Sequence, residues 1–151
     1  MKTDSLIQRI GGAILVLLGF SACSKLIDAP TEYGTPNATY RISGSVMTKS
    51  GDPIGSVQVA LKFVVPHTED QYLLRDTLYS DSSGRFAKEV RVFPVSSIKM
   101  TFSDIDGEQN GGEYQSQTVS VTPVMTEKGN GHWYEGAYNV KYDAVLERKG
   151  E

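Results

Sequence analysis

The chain has one cysteine, one tryptophan and two histidines among its 151 residues. A lone cysteine excludes an internal disulfide. With no cysteine beyond Cys23, His67 and His132 have no partners for a Cys/His zinc set, and they read as loop histidines. No serine stands in a Gly-x-Ser-x-Gly elbow, so the commonest sequence sign of a serine nucleophile is missing. Basic residues are in deficit, 15 Lys and Arg against 18 Asp and Glu for a formal charge of −3, which argues against a nucleic-acid partner. Long apolar runs are lacking too. The longest, Ile10 through Gly19, is well short of the roughly 20 residues that a membrane-spanning helix needs.

That run does have the length of a secretory h-region, and Lys2 and Arg9 precede it as a short basic n-region. It ends in Phe20-Ser21-Ala22-Cys23, which resembles the lipobox of bacterial lipoproteins, with Phe20 where Leu is usual. The resemblance implies cleavage between Ala22 and Cys23 by signal peptidase II and acylation of Cys23. In an oxidising compartment that lipid consumes an otherwise exposed thiol, and several acyl chains suffice for stable anchoring. Residues 1–22 are therefore expected to be a signal peptide forming a helix. The mature protein is expected in the cell envelope, facing the periplasm, with the membrane as a partner through the lipid on Cys23. Cleavage removes Lys2, Arg9 and Asp4 and leaves a formal charge of −4.

Residues 23–39 are rich in Pro, Thr and Gly without a sustained period and read as a tether. From Tyr40 the period becomes two. Tyr40, Ile42, Gly44 and Val46 alternate with polar neighbours; Ser50-Gly51-Asp52-Pro53 marks a turn; Val57, Val59, Leu61 and Phe63 alternate again. Further strands fit at Tyr72–Ser80, Arg85–Val92, Ser97–Ser103, Tyr114–Val121 and Ala137–Glu147, the first of them as an edge strand because Leu73 and Tyr79 compete with Leu74 and Leu78 for its two faces. The expected fold is all-β, a seven-stranded antiparallel sandwich over residues 40–148.

Gly44-Ser45-Val46, Gly51-Asp52-Pro53-Ile54 and Val57-Gln58-Val59 resemble the opening hairpin of carboxypeptidase regulatory-like and transthyretin-like (prealbumin-like) sandwiches, with Ser56 where that pattern usually has Gly. Asp81-Ser82-Ser83-Gly84-Arg85-Phe86 looks like their later turn and strand. Adding Glu32-Tyr33-Gly34-Thr35-Pro36, the glycine-rich stretch from Asp104 to Tyr114 and that from Gly129 to Gly136, the whole chain is similar to a Bacteroidetes family of radical SAM-associated lipoproteins. The resemblance implies a radical SAM enzyme as genomic neighbour and partner, and no molecular activity.

Asp104, Asp106, Asn110 and Glu113 offer oxygen ligands among glycines, as a calcium loop would, although the register is not that of an EF-hand; the alternative is a long Asx and Gly turn. Calcium is thus the one candidate cofactor. Trp133 and Tyr134, bracketed by glycines, form a candidate platform for a protein or glycan ligand, or else plug the end of the sandwich. With no catalytic constellation in view, the expectation is a lipid-anchored, non-catalytic binding or accessory module. In the alternative, the protein is modified by the radical SAM enzyme before export, at Gly107–Tyr114 or Gly129–Gly136.

Overall fold

The computed structural model describes residues 34–67, 71–109 and 112–150. The expected leader helix, Ala22, Cys23, the tether as far as Tyr33, and Asn110 lie outside them. The described residues contain eight strands and no α-helix: β1 Asn37–Thr48, β2 Gln58–Val64, β3 Tyr72–Tyr79, β4 Arg85–Val92, β5 Ser97–Ser103, β6 Gln117–Val121, β7 Val124–Lys128 and β8 Tyr134–Leu146. They form two four-stranded sheets, in the orders β4-β1-β8-β7 and β3-β2-β5-β6.

Period-two patterning explains which faces meet. β1 turns Ala38, Tyr40, Ile42 and Val46 inward, β2 Val59, Leu61 and Phe63, β5 Ile98, Met100 and Phe102, and β8 Val140, Ala144 and Leu146, all at most 2% exposed. Two aromatic groups stitch the sheets together. Tyr40 stacks on Tyr138 at 5.4 Å and meets Phe63 edge-on at 6.3 Å; Phe102 lies 5.7 Å from Phe86 and 5.8 Å from Tyr142. The fully buried phenylalanine rings among them, Phe63 and Phe102, each contribute about 1.5–3 kcal/mol by burial. The Tyr40 hydroxyl accepts from Val95 N–H at 2.8 Å, and burial pushes its pKa up.

Three expectations change. The strands number eight, because Val124–Lys128 is exposed at every position and so shows no burial alternation to betray it. The sandwich is not purely antiparallel: β1 and β8 pair in parallel from Asn37↔Tyr134 to Thr48↔Leu146, the whole intervening domain serving as the crossover that a parallel pair requires. Nor do β1 and β2 form a hairpin. After the turn at Gly51 the chain runs back along β1 only as far as Ile54, whose N–H donates to Val46 O at 3.0 Å. Ser56 then adopts φ +60°, and the chain passes to the other sheet. Ser80 holds that crossing: its hydroxyl donates to Ile54 O at 2.8 Å and accepts from Val57 N–H at 3.0 Å. β3 is an edge strand, as the competition between its faces led one to expect. There Asp76 pairs with Lys88 of β4 at 2.6 Å and joins the edges of the two sheets.

Candidate functional site

The outer face of β4-β1-β8 has small residues at its centre. Register sets Arg85, Ser45 and Asp143 in one row and Ala87, Ser43 and Lys141 in the next. Because Ser43, Ser45 and Ala87 are short and Arg85 and Lys141 are long, the face sinks into an open cleft of about 440 Å³, with Asp81 at its rim. Ser45 Oγ donates to Asp143 Oδ1 at 2.8 Å, while Lys141 Nζ stands 4.0 Å from Asp143 Oδ2. Asp81 Oδ1 accepts from the N–H groups of Ser83 and Arg85 at 2.8 and 2.9 Å, which fixes the β3–β4 turn and aims β4 at the cleft. Among the described residues no carboxylate pairs with the Arg85 guanidinium. The cleft therefore presents a free planar donor, an ammonium, two carboxylates and two hydroxyls, a set that can bracket a ligand carrying adjacent oxygens.

These residues were not singled out by sequence reasoning. They sit at outward positions of three strands, and only the antiparallel register of β1 with β4 together with the parallel register of β1 with β8 brings them into one face.

The sequence candidates fall elsewhere. Asp104 accepts from Asp106 N–H at 3.2 Å through Oδ1 and from Tyr114 N–H at 3.0 Å through Oδ2, so its carboxylate organises the loop's own backbone. Glu113 forms an ion pair with Lys149. Asn110, the remaining oxygen ligand expected beside Asp106, is outside the described residues. Of the aromatic pair, Trp133 is 36% exposed. Tyr134 is partly buried; Arg91 covers its ring at 4.8 Å and its hydroxyl donates to Thr39 at 3.2 Å. Only Trp133 thus offers a free face. His67 lies beyond β2 and His132 between β7 and β8, on connections that follow different sheets.

The sequence matches no protein-family model and no curated protein. Solved structures do match the fold. Catechol 1,2-dioxygenase from Pseudomonas arvilla C-1 aligns with TM-score 0.54 at 12% identity, over 80% of this chain and 55% of that one. The dioxygenase domain of a dioxygenase carbohydrate-binding protein fusion from Streptomyces sp. SirexAA-E aligns with TM-score 0.51 at 14% identity, over 77% and 84%. Hydroxyquinol 1,2-dioxygenase from Pseudomonas putida DLL-E4 aligns with TM-score 0.50 at 12% identity, over 77% and 58%. The chain spans little more than half the length of the catechol and hydroxyquinol enzymes. At such identities the likeness is one of fold.

It corrects the family readings. The sandwich is of the dioxygenase type and not the transthyretin-like or carboxypeptidase regulatory-like one, and membership of the radical SAM-associated lipoproteins is not supported. The idea of modification at Gly107–Tyr114 or Gly129–Gly136 rested on that membership and falls with it. The expectation of a non-catalytic module is overturned as well, since it rested on finding no active site in a fold read as an accessory one, and this fold is one that enzymes use. What the comparisons establish is a β-sandwich of the intradiol-dioxygenase type.

Proposed function

We propose that this protein takes a small vicinal-diol compound, of which catechol is the simplest aromatic member, in the cleft over β4, β1 and β8, and does so at the cell envelope, held there by acylated Cys23. The observation that carries the reading is the unpaired Arg85 guanidinium facing carboxylates and hydroxyls across an open cleft. A diol donates one hydroxyl to Asp143 or Asp81 and accepts from Arg85 or Lys141 through the other. Named activity on catechol and hydroxyquinol in proteins of the same fold favours this ligand class.

Oxidative ring opening calls for a redox centre. Among the described residues no three His, Cys, Asp or Glu side chains stand together to hold a metal. The residues of the cleft bind and orient.

Calorimetric titration with catechol tests the reading, with a simple pyranose in parallel and oxygen uptake followed in the same solutions. Saturable catechol binding is expected, weakened about 10- to 100-fold in Arg85→Ala, as the loss of a charged hydrogen bond of about 1.5–3 kcal/mol implies. Absence of binding, or equal binding by the variant, refutes it. Binding of the sugar alone would move the ligand class to carbohydrates. Intact mass of the membrane-fraction protein checks the anchor: a chain beginning at Cys23 and carrying acyl groups is expected, and an unmodified thiol there excludes it.

A further inference from the structure

The two ends of the sandwich differ, and the end where β1 begins is the unusual one. Register defines it. Asn37 pairs with Tyr134 at the start of β8, and Ala38 with Val92 at the end of β4. Ser96 N–H donates to Val64 O, which brings the β4–β5 connection to the end of β2, where Val64 faces Tyr72 of β3 and Ser97 of β5. β1, the first described strand, begins here.

Leu73, Leu74, Phe93 and Trp133 all belong to this end, and each is between 36% and 49% exposed. One row further in, Arg75, Lys62 and Lys99 occupy directly opposed positions on β3, β2 and β5. All three cations lie 5.2–5.8 Å from the centre of the Tyr72 ring. Like charges directly opposite one another destabilise a sheet; the ring offsets part of that repulsion. Among the described residues none of the three has an ion-pair partner. Among the described residues Arg91 adds a further cation and Glu135 an exposed carboxylate, while Glu69 and Asp70 of the β2–β3 connection lie outside them. Cations concentrated in this way on a chain of net charge −3 select an anionic partner. Exposed Trp, Phe and Leu at the same end suit the headgroup layer of a bilayer, where aromatic rings and basic side chains gather.

We infer that this end of the domain docks on an anionic phospholipid surface, with Trp133, Phe93 and Leu73 among the headgroups and Lys62, Arg75 and Lys99 against lipid phosphates. The inference rests on the proposed acylation of Cys23 to bring this end to a membrane, but the docking chemistry belongs to residues of the domain itself. It leaves the cleft, on the outer face of β4-β1-β8, open to solvent.

Trp133 is the only tryptophan, so its fluorescence reports this end alone. The full protein is placed on vesicles of phosphatidylcholine with or without phosphatidylglycerol, and quenching by brominated acyl chains is recorded. Quenching is expected with phosphatidylglycerol and not without it. It should fall about fivefold for each of Lys62→Ala, Arg75→Ala and Lys99→Ala at limiting vesicle concentration. A vesicle-bound, acylated chain whose Trp133 stays in water overturns the docking and leaves the anchor intact. A chain found without lipid by mass, whose Trp133 is still shielded by anionic vesicles, removes the anchor and keeps the docking. Equal shielding by a soluble sulfated polysaccharide would assign the cations to a soluble polyanion and overturn the membrane reading.

Discussion

Replacing Ser80 by Ala deletes one hydroxyl and two buried hydrogen bonds. Ser80 is 5% exposed, and its Oγ serves Ile54 O at 2.8 Å and Val57 N–H at 3.0 Å, the two groups that bracket the passage from one sheet to the other. In the variant a carbonyl and an amide lose that partner, at about 1–3 kcal/mol for each buried group left unsatisfied. The backbone bonds from Ser56 N–H to Ser80 O and from Ser80 N–H to Val57 O remain and limit the disturbance. The expected loss is about 2–4 kcal/mol, a large share of the 5–15 kcal/mol typical of a domain. Urea unfolding reads it as a lower midpoint at unchanged slope. Ser83→Ala is the control, in an exposed turn where only the Ser83 amide is used, and should stay within about 0.5 kcal/mol. A loss below about 1 kcal/mol for Ser80→Ala would refute the hydroxyl's role in holding the crossing.

Gly44→Ala should destabilise by about 3 kcal/mol in the same assay, because the added Cβ would lie 1.8 Å from Tyr142 O and 2.7 Å from the Phe86 ring and so push β8 away from β1; an unchanged midpoint would contradict the parallel register. Lys88, by its hydrogen bond, holds the Asp76 carboxyl below its ordinary value of 3.8. A carboxyl depressed on folding adds stability that is present above 3.8 and lost as pH falls through the lower folded value. Asp76→Asn should therefore flatten the fall in melting temperature on acidification below about pH 4, and an identical acid limb would exclude the pair from that fall. Cys23→Ala should leave the chain unprocessed or release it from the membrane fraction, and a mature, lipid-bearing variant would contradict the anchor.

Strand existence was legible where one face is dry and the other wet. Ile98, Met100 and Phe102 on β5 are buried at every second position, and on β8 Val140, Ala144 and Leu146 are buried with Tyr142 half-buried between them, as their alternation implied. β7 escaped because an edge strand exposed throughout has no pattern to read. Pairing was less legible than strands. Short turns suggest antiparallel neighbours, yet the first and last strands lie side by side in parallel, a contact that no local signal announces. Ser56 adopts φ +60°, in the left-handed region that glycine favours, and a serine there gave no sign in the sequence that the chain leaves the hairpin path. The candidate cleft was illegible for the same reason as the register that builds it, since Ser45, Arg85 and Asp143 meet only after β1 has found both β4 and β8.

The most direct test of the cleft is a titration of isotopically labelled protein with catechol, read at individual backbone amides. Saturable shifts at Ser43, Gly44, Ser45, Arg85 and Lys141, absent at Trp133 and from Asp104 to Gln109, are the expected result, with the remaining shifts needing about 10- to 100-fold more catechol in Arg85→Ala while the rest of the spectrum keeps its dispersion. Shifts centred on Trp133 or on the Asp104 loop, with the β4-β1-β8 face silent, would contradict the cleft as the site.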